Sequence, residues 1–159
     1  MKFNSALKNF VLVLFSTLLI SACSTAKKAA VDTIDDVYTG TDTVEYLANG
    51  VPDRVFFATN KSSLTTRSRD TLRKQATYLR KNKDLTVTIE GHADERGTRE
   101  YNLALGERRA NAAKDYLMTY GVSGKRISVI SYGKETPVHP ASSPLAWSQN
   151  RRSVTIKAN

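Results

Sequence analysis

The sequence predicts an α+β fold, an α/β sandwich of order βαβαββ, with two helices packed on one face of a mixed sheet. Three observations carry that prediction. Leu85 to Glu90 (LTVTIE) alternates apolar and polar residues, the period of a strand covered on one side only. Two longer stretches, one following Thr65 or Thr66 and running to about Lys81 and one from Asn102 to Tyr120, instead space their apolar residues by three and four, as helices do. The short runs Val51–Phe57, Arg126–Tyr132 and Arg152–Ala158 bracket them as further strands. Strand–helix–strand units favour right-handed parallel crossovers, and two such helices cover one sheet face.

The chain has 159 residues, and not all of them belong to that domain. Lys2 and Lys8 flank the start of the molecule, and Phe10 to Ile20 (FVLVLFSTLLI) is almost wholly apolar. That run is too short to span a bilayer as a helix and has the length of an export signal's core. It ends in Leu19-Ile-Ser-Ala-Cys23, which resembles the lipobox of bacterial lipoprotein precursors. The resemblance implies cleavage after residue 22 and lipidation of Cys23; Ser24, in place of an Asp, then implies outer-membrane retention. Two or more acyl chains anchor stably where one holds only marginally. An ordinary signal with an incidental cysteine is the competing reading. Cys23 is the single cysteine, so with it acylated neither a disulfide nor a thiolate metal site nor a cysteine nucleophile remains.

Residues 23–50 are rich in Thr, Asp and Ala without a sustained hydrophobic period, and read as a flexible linker. A coil of that length has a dimension of roughly 30 Å. Val31, Ile34, Val37 and Tyr38 leave room for one helical turn. Residues 51–159 then form the domain, long enough for one modest core.

Within the domain, Pro52 stands at the entry of the first strand, where a missing N–H is tolerable. Thr65 or Thr66 caps the first helix, which sets Leu72, Ala76 and Leu79 on one stripe. The second helix carries Leu103, Gly106, Ala110, Ala113, Leu117 and Tyr120 as its expected core stripe, and Gly121 stops it. Pro137, Pro140 and Pro144 mark the loop before the last strand, with a short turn around Trp147.

The whole chain carries +9, and residues 51–159 alone carry 20 basic and 10 acidic side chains, or +10. Such a balance favours a polyanionic partner. For an exported chain that means wall polymer or anionic lipid, with no nucleic acid. The alternative is that the basic face of the first helix (Arg67, Arg69, Arg73, Lys74, Arg80, Lys81) is merely solvated.

Polar chemistry concentrates in Gly91 to Ala110, GHADERGTREYNLALGERRA. Asn102 and Arg109 are seven apart, so they stand on nearly one line along a helix of about 100° per residue. Asp94 lies in the loop leading to that helix, near an N-terminus that favours anions. An acid beside a fixed guanidinium suits a zwitterion: Asp94 pairs with an ammonium and Arg109 grips a carboxylate. Equally, Asp94 and Arg109 pair with each other. His92 and Asp94 are too few for a metal site, with His139 far away. No phosphate loop, nucleophile elbow or matched acid–base pair is present, so the chain reads as a binder without cofactor, not an enzyme.

GHADERGTREYNLALGERRANAAKDYL, with VFFATNKSSL before it and ISVISYGKETP and NRRSV after it, resembles the OmpA-like peptidoglycan-binding domain family, closest to its lipoprotein (Pal) branch. That resemblance implies the diaminopimelate of the peptidoglycan stem peptide as ligand. It implies Asp94 and Arg109 as the gripping pair, with Asn102, the backbone near Phe57, Ala58 and Thr59, and flanking Leu103 as accessories. It further implies the Tol–Pal system, with TolB as a periplasmic partner and a role in outer-membrane constriction at division. The chain departs from the family pattern at Ala58, commonly Asp, at Thr59, often Phe in that branch, and at Ala93, frequently Thr.

Overall fold

The computed structural model describes residues 36–158; the signal sequence and Cys23 lie outside the described residues. Two short strands open it, β1 (Tyr46–Ala48) and β2 (Val51–Pro52), paired antiparallel. The main elements follow as β3 (Arg54–Phe56), α1 (Thr66–Lys81), β4 (Thr86–His92), α2 (Arg99–Thr119), β5 (Ile127–Gly133), α3 (Pro144–Asn150) and β6 (Arg152–Ala158). The four-stranded sheet runs β3-β6-β4-β5, with β4 and β5 parallel and the other pairings antiparallel. This is the expected α+β architecture with a mixed sheet. The last strand enters between the first and the second, so β6 brings residue 151 beside both Phe57 and the end of β4.

Val55, Phe57, Val87, Ile89 and Ile127 from the sheet side meet Leu72, Ala76 and Leu79 of α1 and Ala110, Ala113 and Leu117 of α2 in one core. Thr65 caps α1 by accepting from the Ser68 N–H (3.1 Å). Arg126 closes its other end, donating from Nη2 to the carbonyls of Leu79 (3.0 Å) and Asn82 (2.7 Å). Gln75, buried on the core side of α1, bonds the Pro52 carbonyl and Thr155 Oγ1, so its burial leaves no unmet demand there.

Four expectations are corrected. The first strand, expected as Val51–Phe57, divides at Asp53: its beginning pairs with β1 and its end with β6. The second helix starts at Arg99, capped by Thr98 on the Tyr101 N–H, and not at Asn102. Its buried face is Asn102, Leu105, Gly106, Arg109, Ala110, Ala113 and Leu117, which leaves Leu103 and Tyr120 exposed. Gly106, Ala110, Ala113 and Leu117 lie on both faces; admitting Asn102, Leu105 and Arg109 while losing Leu103 and Tyr120 turns the buried face by roughly 30–40° at about 100° per residue. The turn around Trp147 is a helix, started by Ser143 at the cap and Pro144 at the first position.

Residues 36–50, read as linker, pack against the domain. Tyr38 and Leu47 are buried, Tyr38 edge-on to Phe56 with ring centroids 4.8 Å apart. Two isolated apolar residues make no period, so the pattern alone is silent. Asn49-Gly50 before Val51 was the available signal: Gly50 has φ +72°, the left-handed turn conformation that such a dipeptide supplies to a hairpin.

Candidate functional site

The polar cluster forms where β4 ends, where β6 begins and where the chain leaves β3. Arg109 reaches it from α2. Its side chain is fully buried, and it donates to three backbone carbonyls: Nε to Lys61 (2.9 Å), Nη1 to His92 (2.8 Å) and Nη2 to Ala58 (3.1 Å). The ring of Phe57 lies 5.3 Å from its guanidinium carbon. Burial, and then Arg151, lower its pKa to about 10, so it stays cationic at neutral pH. A guanidinium has five N–H donors, and three are committed. Arg109 therefore fixes the loop 58–61 to the end of β4 and keeps two donors in reserve.

Asp94 is buried two residues past β4. Its carboxylate accepts from the Arg96 N–H (3.1 Å), Nε (3.0 Å) and Nη2 (2.7 Å), and from Arg151 Nη1 (3.3 Å). Burial raises the Asp94 pKa, but the Arg96 bonds and charge, with Arg151, overcome it and hold the carboxyl below its usual range. Asp94 and Arg109 thus share a cluster without forming a direct ion pair among the described contacts. The alternative in which they simply satisfy each other is not what the structure adopts, because Arg109 turns to carbonyls and Asp94 to the other two arginines.

The remaining candidates divide by role. Asn102 is buried and donates through Nδ2 to the Arg96 carbonyl (2.9 Å), setting the loop that carries Asp94 and Arg96. The Phe57 carbonyl accepts from Arg151 Nε (3.0 Å), and the Phe57 N–H donates to the Arg151 carbonyl (2.9 Å). Ala58 contributes its carbonyl to Arg109. Thr59 offers its N–H toward the cluster and accepts at Oγ1 from Arg96 Nη2 (3.2 Å). Leu103 is 48% exposed and lines an open groove of about 500 Å³ with Arg99, Glu100 and Tyr132, apart from the hydrogen bonds just described.

Sequence reasoning missed Arg96 and Arg151. Arg151 is 1% exposed and touches Asp94, Phe57 and Asp36, which makes it the hub of the cluster. Its sequence signal was the Asn150-Arg151-Arg152 run at the head of a strand, whose two arginines must point to opposite sides. Arg96 spreads over Trp147 at 4.3 Å, and Trp147 donates to Glu95 (2.8 Å), so α3 braces the outer wall of the site. No group of three metal-ligating side chains occurs among the described residues. His92 is buried, with Nδ1 3.0 Å from Thr136 Oγ1.

A family model for the OmpA family matches residues 56–151. A peptidoglycan-associated lipoprotein from Rhizobium meliloti is 56% identical over 106 residues, covering 67% of this chain and 60% of that protein's own length. One of the same name from Brucella melitensis is 42% identical over 151 residues, covering 91% of this chain and 89% of that protein. The crystal structure of the peptidoglycan-associated lipoprotein from Burkholderia pseudomallei is similar with a TM-score of 0.65 and 36% identity, over 67% of this chain and 90% of that one. The matched segment contains Asp94, Arg96, Asn102, Arg109 and Arg151, the polar cluster's main side chains.

Proposed function

The chain belongs to the OmpA family, among the peptidoglycan-associated lipoproteins, and from that membership we propose that it binds peptidoglycan non-covalently through the Asp94–Arg109 cluster. It is a binding protein, not an enzyme. One observation carries the reading. A buried carboxylate and two buried guanidiniums converge beside the Thr59 N–H, giving one negative and one positive pole within a rigid frame. An amino acid with free ammonium and carboxylate matches both poles, and the diaminopimelate of a stem peptide is such a group. Asp94 takes the ammonium; Arg109, with its two uncommitted N–H groups, and Thr59 take the carboxylate. Asn102 and the Phe57–Ala58 backbone hold the frame.

The wider proposal places the protein at the outer membrane, anchored by lipid on Cys23 with its domain in the periplasm. There it joins membrane to wall as part of the Tol–Pal system, meets TolB, and serves envelope integrity and constriction at division. The six basic residues on α1 are all exposed, in keeping with attraction to an anionic polymer.

The test is sedimentation of the full chain, held in detergent, with purified peptidoglycan and no TolB. Wild type is expected to pellet, and Asp94→Asn to lose at least about tenfold in affinity while its circular dichroism is unchanged. Undiminished pelleting by Asp94→Asn would remove Asp94 from the site. A wild type that stays in solution would leave TolB docking as the better account of the surface.

A further inference from the structure

Asp36 lies outside the stretch matched by the family model, yet its side chain reaches into the cluster. Oδ2 accepts from the Thr59 N–H at 2.5 Å, and Oδ1 from Arg151 Nη2 at 2.6 Å. Arg151 Nη2 also donates to the Asp36 backbone carbonyl. One buried guanidinium therefore bridges two carboxylates, Asp94 on Nη1 and Asp36 on Nη2. Arg96 meanwhile covers Asp94 from outside.

Both covering groups are more exposed than what they cover. The side chains of Asp36 and Arg96 are 42% and 41% exposed, against 1% for Arg151 and 9% for Asp94. Half-exposed ion pairs are screened and contribute little net stability. Asp36 presents a carboxylate to the Thr59 N–H and Arg96 a cation to Asp94, two of the groups that a free amino-acid terminus would use, while Arg151 adds a second donor to the carboxylate. Exchange of the pair for a zwitterion leaves the charge of the site unchanged.

We propose that Asp36 is an internal surrogate for the ligand's carboxylate, so that the segment leading into the domain occupies the wall-binding site until stem peptide displaces it. The inference rests on the peptidoglycan reading above and adds a competitor to it. Tyr38, two residues on, is buried against Phe56 and holds the segment beside the site whether or not Asp36 is seated. A carboxylate so tethered competes at an effective concentration on the order of millimolar or more. Displacing it releases Asp36 and Val37 from the domain, which couples wall binding to the slack between domain and membrane anchor.

The test uses the full chain in detergent, titrated calorimetrically with a diaminopimelate-containing muropeptide, as wild type, Asp36→Asn and Asp36→Ala. Apparent affinity scales with the fraction of open sites, so a site closed nine times in ten predicts about tenfold tighter binding once the competitor is removed. Both variants are expected to bind about threefold to tenfold more tightly than wild type. In wild type, amide exchange around residues 36–37 is expected to rise on addition of muropeptide. Equal binding by all three proteins would overturn the inference and leave the wall-binding reading standing. Weaker binding by the variants would also overturn it, making Asp36 part of the binding surface. Binding by none of them would overturn the wall-binding reading and the inference with it.

Discussion

Arg54, Arg109, Arg151 and Arg152 are all buried, and each is paid in hydrogen bonds rather than solvent. Arg54 forks onto Asp53 (2.8 and 2.7 Å); Arg152 donates to the Asn150 and Thr136 carbonyls. His92 sits among them. Burial first, then Arg152 and Arg54, lower its pKa from 6.5 to about 3, while Glu90 Oε2 at 3.5 Å and Thr136 are its polar neighbours. The folded state thus holds His92 neutral where the unfolded chain takes up a proton. Its contribution to stability is complete above about pH 6.5 and is lost progressively as pH falls toward 3. Asp36 and Asp94, also held below their usual range, add their losses only below about pH 4. Wild type is therefore expected to lose roughly 2 kcal/mol between pH 6.5 and 4.5, at a limit of about 1.4 kcal/mol per unit. His92→Phe, which keeps the stacking on Tyr132, should lose this fall, and Glu90, its carboxyl raised by burial, should then give a small gain as pH drops. Urea midpoints at the two pH values decide it, and parallel slopes for both proteins would refute it. Little of this was legible in sequence, because hydropathy assigns arginine to the surface. Arg109 was the exception: its alignment with Asn102 marked it as held still, though not as fully enclosed.

At the scale of elements, α2 lies so close to β4 that two glycines meet. A Cβ on Gly91 would overlap the Gly106 carbonyl oxygen, and one on Gly106 would stand 2.8 Å from the Gly91 oxygen. Both obstacles are backbone, which does not rotate away. Gly91→Ala is accordingly expected to destabilise the domain by about 3 kcal/mol or more, and to loosen α2 and β4 together. Denaturant unfolding measures the first and amide exchange the second; a loss below about 1 kcal/mol would mean that the helix can slide. That close approach is what aims Asn102 and Arg109 at the ends of β3 and β4. The strands and helices were readable because each has a period. The α1 stripe of Leu72, Ala76 and Leu79 and the β4 alternation of Val87 and Ile89 stand as expected. The rotation of α2 was not readable, since its buried face includes an Asn and an Arg that hydropathy places outside. For the same reason α3, seven residues with two polar ones buried, looked like a turn.

The molecule as a whole is larger than its repeating pattern. Its folded unit reaches back to Asp36, with Tyr38 and Leu47 buried, the Asp53 N–H donating to the Glu45 carbonyl, and Gln149 donating to Asp42. These contacts tie the entering chain to β3, to α3 and to the polar cluster at once. A chain begun at Val51 loses all of them and exposes the edge of Phe56 that Tyr38 covers. Full burial of a Tyr or Leu is worth about 1.5–3 kcal/mol each, an upper estimate since the unfolded chain already buries part of that surface. Against residues 24–159, the fragment 51–159 is therefore expected to unfold with a stability lower by roughly 3–5 kcal/mol, read as a lower urea midpoint. Restoring residues 36–50 should recover it, whereas restoring them with Tyr38→Ala and Leu47→Ala should not. Equal midpoints for the two fragments would show that residues 36–50 merely rest on the domain. In that case the cluster would stand by itself, with Asp36 arriving as a passenger on a separate strap rather than as part of one cooperative fold.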